Sequence, residues 1–184
     1  MPTLLCIGLG YCARSYVAEF GTRFDRVVAT TRSAERAAAL GRESLGGRWV
    51  EMLLFDATSR QLTAAIALAD ALLISAAPAD GRDPVLAAFA DEITAAPRLR
   101  SVVYLSTLGV YGDSGGAWID ETTPVIPAHA RRGHARIDAE FAWRRKSPAR
   151  TIGPATRCGK NRMKRRKCGR LRSALIFPVA TSTA

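Results

Sequence analysis

Short apolar segments alternate with helix-like segments along the first 105 residues of the chain. The apolar segments, rich in β-branched residues, are predicted strands and cover 4–7, 26–31, 49–55, 71–75 and 101–105. The segments between them are predicted helices: one ends near residue 21, and the others cover 33–40, 59–69 and 83–97. This alternation predicts an α/β fold with a doubly wound parallel sheet and right-handed crossovers.

A glycine-rich turn, GLGYCA, joins the first strand directly to the first helix. Gly8 permits the tight turn, Gly10 lacks a Cβ that would block a pyrophosphate, and Ala13 lets helix and strand approach closely. Free N–H groups and the helix dipole favour an anion at such a helix start. The turn therefore predicts a Rossmann-type dinucleotide-binding unit, with Gly8, Gly10 and Tyr11 against the cofactor.

The end of the second predicted strand reads Thr31-Arg32-Ser33. An acid at this place would hold the adenosine ribose hydroxyls, whereas a basic residue accommodates a 2′-phosphate. Arg32 as a bidentate phosphate partner, with Thr31 and Ser33 beside it, favours NADP over NAD. The alternative is that Arg32 is a solvated residue next to a helix cap formed by Ser33.

Candidate cofactor contacts also follow the third and fourth strands. Asp56 follows the third strand, where it either meets the adenine amino group or caps the next turn. Thr58 and Gln61 resemble a capping box that opens the next helix. After the fourth strand, Ala76 and Ala77 provide a small-residue floor that suits a nicotinamide ribose close to the backbone.

The net charge of +11 is confined to the end of the chain. Residues 1–143 hold 14 arginines, no lysine and 16 acidic residues, whereas residues 144–184 hold 13 basic residues and no acid. We therefore expect a nearly neutral folded domain over 1–146 and a basic, irregular tail over 147–184. The tail lacks interleaved aromatic residues for base stacking, so any binding of nucleic acid would be non-specific.

Chain length, apolar content and cysteine spacing further limit the classes of protein to which the sequence could belong. The 184 residues suffice for one domain with a sizeable core, and no apolar stretch is long enough to span a membrane. Four cysteines have no metal-ligand spacing, and we interpret Cys6 and Cys12 as small buried fillers. A reducing, cytoplasmic setting without a metal site fits best.

Hydroxyl residues follow the fifth strand in the segment LSTLGVYG, which continues as DSGGAWIDETTP. Ser106 and Thr107 would lie at the carboxyl edge of the sheet, where ligands bind in open α/β folds. The segment resembles the S-[ST]-x-x-V-Y-G motif of extended and atypical short-chain dehydrogenases/reductases, the NAD(P)-dependent epimerase/dehydratase family. With the glycine turn and TTR, the resemblance covers about residues 3–145.

The resemblance implies that Thr107, with Ser106 beside it, binds the substrate oxygen. Counting back from Glu140, the positions of the family's catalytic Tyr-x-x-x-Lys pair are held by Arg132 and Arg136. Because arginine stays protonated, Arg132 would stabilise developing negative charge rather than exchange a proton. Arg136 would hold ribose hydroxyls or pyrophosphate as a fixed cation.

The family would continue beyond residue 147 with a sixth strand and a substrate region, neither of which is recognisable. We expect that the reading frame or the gene is disrupted there, so that the basic tail is accidental. We favour this interpretation over a basic arm that binds RNA or DNA through phosphates. In the family, the helix that corresponds to the one around Arg132 often forms dimer contacts. A homodimer is therefore possible by analogy.

Three functions are compatible with these observations. The first is an NADP-preferring epimerase, dehydratase or reductase acting on a sugar-nucleotide-like or other hydroxyl or carbonyl substrate. The second is a non-catalytic dinucleotide-binding module or remnant, which the missing Tyr-x-x-x-Lys pair favours. The third is non-specific nucleic-acid binding through the tail.

Overall fold

Five parallel strands form the central sheet of the protein. The structure is a computed structural model that describes residues 1–79, 81–106, 108–113, 115, 117–118, 123–126 and 130–146, without the side chains of 108–109, 130–133, 144 and 146. In chain order, the elements are β1 (Thr3–Ile7), α1 (Tyr11–Phe20), β2 (Arg26–Thr31), α2 (Ala34–Leu40), β3 (Ser44–Leu45), β4 (Arg48–Trp49), β5 (Glu51–Leu54), α3 (Arg60–Leu68), β6 (Ala71–Ile74), α4 (Pro84–Thr94), β7 (Ser101–Tyr104) and α5 (Ala130–Lys146). Short 3₁₀ helices cover Gly21–Arg23 and Leu108–Tyr111.

The strand order of the sheet is β5-β2-β1-β6-β7, and all pairings are parallel. Strand β1 lies at the centre, and all five of its residues are buried. The chain moves outward from β1 first in one direction and then, through β6, in the other. The order therefore reverses between β1 and β6, which creates a crevice at their carboxyl ends.

The side chains of β1 alternate between two apolar cores, one on each face of the sheet. Leu5 and Ile7 contribute to the core that α3, α4 and α5 cover, whereas Leu4 and Cys6 contribute to the core on the α1 and α2 face. Helices on both faces explain why the parallel strands are nearly continuous apolar runs. The predicted Rossmann-type doubly wound sheet is confirmed.

Three of the helices begin at a residue whose side chain caps the free backbone N–H groups. Ser33 accepts from Arg36 N at the start of α2, and Ser59 accepts from Leu62 N at the start of α3. Asp83 accepts from two backbone N–H groups at the start of α4. The predicted role of Ser33 as a helix cap is confirmed.

Three local predictions were wrong. The residue that caps α3 is Ser59, so Thr58 and Gln61 do not form the predicted capping box. Trp49 belongs to the antiparallel hairpin of β3 and β4 instead of the third strand of the main sheet, which begins at Glu51. Cys12 is exposed on α1, whereas Cys6 is buried as predicted.

None of the helices in the described part of the chain combines the length and apolar character that crossing a membrane requires.

Candidate functional site

Most of the predicted site residues lie at one edge of the sheet, where the parallel strands end. Gly8 and Gly10 follow β1, and the segment 31–33 lies at the end of β2. Asp56 follows β5, Ala76 and Ala77 follow β6, and Ser106 follows β7. The topology therefore brings the candidate cofactor residues and Ser106 to the same edge.

The turn after β1 adopts a conformation that requires glycine. Gly8 has a φ of +90°, which residues with a Cβ rarely adopt. A Cβ at Gly8 would also lie 3.1 Å from the backbone N of Ala76. The turn thus lies directly against the segment after β6, at the point where the strand order reverses.

Hydrogen bonds hold this turn from both sides. Gly8 N donates to the Thr30 side-chain Oγ1 at 2.9 Å, and Leu9 N donates to the Thr30 carbonyl oxygen at 2.9 Å. On the other side, Ile7 O accepts from Ser75 N and Ala76 N at 2.9 and 3.1 Å. The turn is therefore fixed to both β2 and β6.

Helix α1 begins without a side-chain cap, unlike α2, α3 and α4. Its N-cap residue is Gly10, whose backbone is extended. Tyr11, the first helical residue, has 70% of its surface exposed, and Ala13 is fully buried in the core behind the helix. The N–H groups of the first turn point out of the helix end and have no intrahelical acceptor, which suits an anionic group.

The loop after β2 presents a cation at the same edge. Arg32 is exposed and forms neither a hydrogen bond nor an ion pair with the described residues. Ser33 N donates to Thr31 Oγ1 at 3.5 Å, while the Ser33 hydroxyl caps α2. The structure thus shows the Ser33 cap, while a contact of Arg32 with a 2′-phosphate stays a prediction.

Asp56 caps the turn that leads from β5 to α3. Its Oδ1 accepts from the Thr58 backbone N–H at 2.9 Å and from the Thr58 hydroxyl at 3.0 Å. These two hydrogen bonds, the backbone bond being the larger effect, hold the pKa of Asp56 below its usual value. The carboxylate is exposed and ionised at neutral pH, and contact with adenine stays a prediction.

Arg136 binds the end of β7. Its Nη1 donates to the carbonyl oxygen of Leu105 at 2.7 Å and to the hydroxyl of Tyr104 at 3.3 Å. The next residue, Ser106, has a buried Oγ that makes no hydrogen bond to any described residue. Arg136 therefore lies beside the predicted substrate hydroxyl, with its guanidinium engaged by the protein itself.

A buried polar cluster supports this part of the site. Trp143 stacks on Tyr104 with ring centroids 6.4 Å apart, and its indole Nε1 donates to Asp83 Oδ2 at 3.0 Å. Burial raises the pKa of Tyr104 to about 12, although the positive charge of Arg136 acts in the opposite direction. Tyr104 is therefore neutral at physiological pH. Its side chain is fully enclosed, so it has no access to a substrate.

Two predicted site residues cannot be placed at this edge. Thr107 lies outside the described residues. Arg132 belongs to α5, but its side chain is also outside the description. Their predicted roles stay predictions.

Sequence reasoning missed Thr30 and the cluster of Tyr104, Asp83 and Trp143. For Thr30, a signal was present: a hydroxyl residue next to the end of an otherwise buried strand.

No family model matches the chain, and no curated protein matches it. Among solved structures, it is similar to a conserved protein of unknown function from Silicibacter pomeroyi, with 40% identity and a TM-score of 0.68 over 81% of this chain and 50% of that one. It is also similar to UDP-N-acetylglucosamine 4-epimerase from Bacillus cereus, with 18% identity and a TM-score of 0.60 over 83% of this chain and 58% of that one.

A third similar structure is dTDP-glucose 4,6-dehydratase from Bacillus anthracis in complex with NAD. It has 13% identity and a TM-score of 0.58 over 81% of this chain and 53% of that one. The chain thus spans about half the length of these structures. Together with the strand order, the likenesses show that the chain has the Rossmann-type fold of the epimerase and dehydratase structures.

Proposed function

We propose that residues 1–146 form the dinucleotide-binding domain of an atypical short-chain dehydrogenase/reductase in the NAD(P)-dependent epimerase/dehydratase family. The observation that carries this proposal is the uncapped start of α1 behind the Gly8 turn, at the reversal of the strand order. The B. anthracis dehydratase, which shares the fold, is described in complex with NAD. A pyrophosphate at this turn would cap α1 as Ser33, Ser59 and Asp83 cap the other helices.

The preferred cofactor is NADP. Arg32 is an exposed cation without a partner among the described residues, and it follows the strand next to the glycine turn. A guanidinium binds a phosphate with two parallel hydrogen bonds, so it suits the 2′-phosphate that distinguishes NADP from NAD. Tyr11, Thr31, Ala76 and Ala77 would contact the remaining parts of the cofactor.

The bound cofactor would supply hydride transfer. The hydroxyl of Ser106, which has no partner among the described residues, would orient with Thr107 the oxygen of a hydroxyl or carbonyl substrate. A sugar nucleotide is the leading class of substrate. Arg136 would fix the segment that carries these hydroxyls, and Arg132 would stabilise negative charge on the substrate oxygen.

A non-catalytic dinucleotide-binding module is the second candidate. Two points favour it. In the register that the resemblance implies, arginines stand at the positions of the Tyr-x-x-x-Lys pair, and the Arg136 guanidinium is bound to the carbonyl of Leu105. In this case the cofactor site would be retained and no turnover would occur.

Calorimetric titration of the full chain with NADPH and then NADH tests the cofactor assignment. We expect NADPH to bind at least about tenfold more tightly, because a charge-assisted phosphate contact contributes about 1.5–3 kcal/mol. Binding of neither nucleotide by a folded sample would refute the proposal. Substrate-dependent oxidation or reduction of the bound nicotinamide, followed by absorbance, would then separate the enzyme from the non-catalytic module.

A further inference from the structure

Thr30 links the glycine turn to the loop that contains Arg32. It is the fifth residue of β2, has only 1% of its surface exposed, and is one of three buried polar or charged residues in the part of the chain that the structure describes. Its side chain and its carbonyl oxygen accept the N–H groups of Gly8 and Leu9, both at 2.9 Å. The next two residues are Thr31 and Arg32.

These two hydrogen bonds use both donors at the beginning of the turn. An anion at the turn would therefore bind the later N–H groups, from Gly10 onward. The position of those groups relative to Arg32 depends on where β2 holds the turn. A dinucleotide with a 2′-phosphate would have to bind the N–H groups of the turn through its pyrophosphate and Arg32 through its 2′-phosphate at the same time.

We propose that Thr30 is a positioning residue for the dinucleotide: its hydroxyl sets the placement of the pyrophosphate turn relative to the 2′-phosphate contact at Arg32. This inference rests on the proposed function. Without the hydroxyl, the partly buried N–H of Gly8 would lose its acceptor, and the turn would shift to find another. The Arg32 loop itself would keep its own contacts, since Ser33 still caps α2.

The substitution Thr30→Val removes the acceptor and keeps the shape of the side chain, whereas Thr30→Ser keeps the acceptor. Thr3→Val is the matched control: Thr3 is also buried, but it lies at the opposite end of β1, and its backbone N–H, not its side chain, donates to Asp70. Calorimetry with NADPH and with adenosine 2′-monophosphate would be done for the full chain and for each variant. Urea unfolding would show that each variant is folded at the temperature of the titration.

We expect Thr30→Val to weaken NADPH binding about tenfold, which corresponds to the loss of one partly buried hydrogen bond. Binding of adenosine 2′-monophosphate should change less than about twofold, because that ligand reaches only the Arg32 loop. Thr30→Ser should restore NADPH binding, and Thr3→Val should leave both ligands unaffected. If Thr30→Val does not fold, Thr30→Cys replaces it, because a thiol is a much weaker acceptor.

Two results would overturn the inference while leaving the proposed function intact. In one, folded Thr30→Val binds NADPH as tightly as the unchanged chain does. In the other, both ligands weaken equally, as a general structural role of Thr30 predicts. If the unchanged chain binds no NADPH, the proposed function fails, and this inference fails with it.

Discussion

Trp143 and Asp83, which are 60 residues apart in the sequence, share a buried hydrogen bond of 3.0 Å between the indole Nε1 and Oδ2. The other oxygen of Asp83 accepts the backbone N–H groups of Val85 and Leu86, so the same carboxylate caps α4. The bond therefore attaches α5 to the start of α4. Because α5 also contributes Arg136, this attachment supports the end of β7 beside Ser106.

The first prediction concerns this bond. Trp143→Phe leaves Oδ2 of Asp83 buried without its donor and removes part of a packed ring, so the free energy of unfolding should fall by about 2–4 kcal/mol. Urea unfolding followed by circular dichroism measures the loss. Phe141→Leu, an exposed position on the same helix, should change stability by less than about 0.5 kcal/mol. Equal losses of unfolding free energy for the two substitutions would mean that the buried hydrogen bond between Trp143 and Asp83 does not stabilise the fold.

The two glycines of the turn should respond differently to alanine. Gly8→Ala places a Cβ at positive φ and within 3.1 Å of the Ala76 backbone, so it should destabilise the fold by roughly 1–3 kcal/mol. Gly10 has a φ of −83°, and a Cβ there would meet only Ser75 Oγ at an ordinary 3.6 Å. Gly10→Ala should therefore leave the unfolding midpoint nearly unchanged and weaken NADPH binding. A Gly10→Ala variant that binds NADPH normally would contradict the placement of the pyrophosphate.

The fold could be predicted from the sequence where local patterns decide it. The apolar strands, the glycine turn and the Ser33 cap each depend on residues close together in the chain. The hairpin of β3 and β4 was not predicted, although it has a local signal: Gly46 and Gly47 form a two-residue turn in which both have positive φ. Gly46 also packs so closely on Ala18 of α1 that no Cβ would fit. The contact of Trp143 with Asp83, in contrast, joins residues 60 positions apart and has no local signature.

In the candidate site, too, the positions of residues could be predicted from the sequence, whereas contacts between distant elements could not. The motif predicted which residues follow the strands, and the parallel topology brings those residues to one edge. The motif could not predict that Arg136 donates to the carbonyl of Leu105, because this contact depends on how α5 packs against β7. A sequence motif predicts where in the fold a residue lies, but the hydrogen-bond partner of its side chain depends on how the helices and strands pack.

The two cysteines near the turn should differ in reactivity. Burial raises the pKa of the Cys6 thiol to about 12 and encloses it, whereas Cys12 is exposed in the first turn of α1. With iodoacetamide at pH 8, native Cys6 should react at least about a hundredfold more slowly than Cys12, because both its thiolate fraction and its access are small. Peptide mapping by mass spectrometry measures both sites. NADPH should slow the reaction at Cys12, and lack of protection at saturating NADPH would count against a cofactor at this turn.

Asp70 should contribute to stability in a pH-dependent way. Burial alone would raise the pKa of this carboxyl, but the Thr3 N–H bond and the charges of Arg98 and Arg100 together lower it. A carboxyl with a depressed pKa stabilises the fold above its unfolded pKa of about 4 and loses this contribution as the pH falls through its native pKa. Asp70→Asn should therefore lower the free energy of unfolding at pH 7 and have a smaller effect below pH 4. Urea unfolding at both pH values tests this, with exposed Asp91→Asn as the control.

Arg32 should discriminate between the two nicotinamide cofactors. Arg32→Ala removes an exposed cation without a described protein partner, so stability should change by less than about 0.5 kcal/mol. NADPH binding should weaken at least about tenfold, since the 2′-phosphate loses a charge-assisted contact, while NADH binding should stay within about twofold. Arg42→Ala removes the same charge from an exposed position just after α2, and should leave both affinities unchanged at physiological salt. Equal weakening of NADPH by both substitutions would indicate a general effect of positive charge and would remove Arg32 from the specificity site.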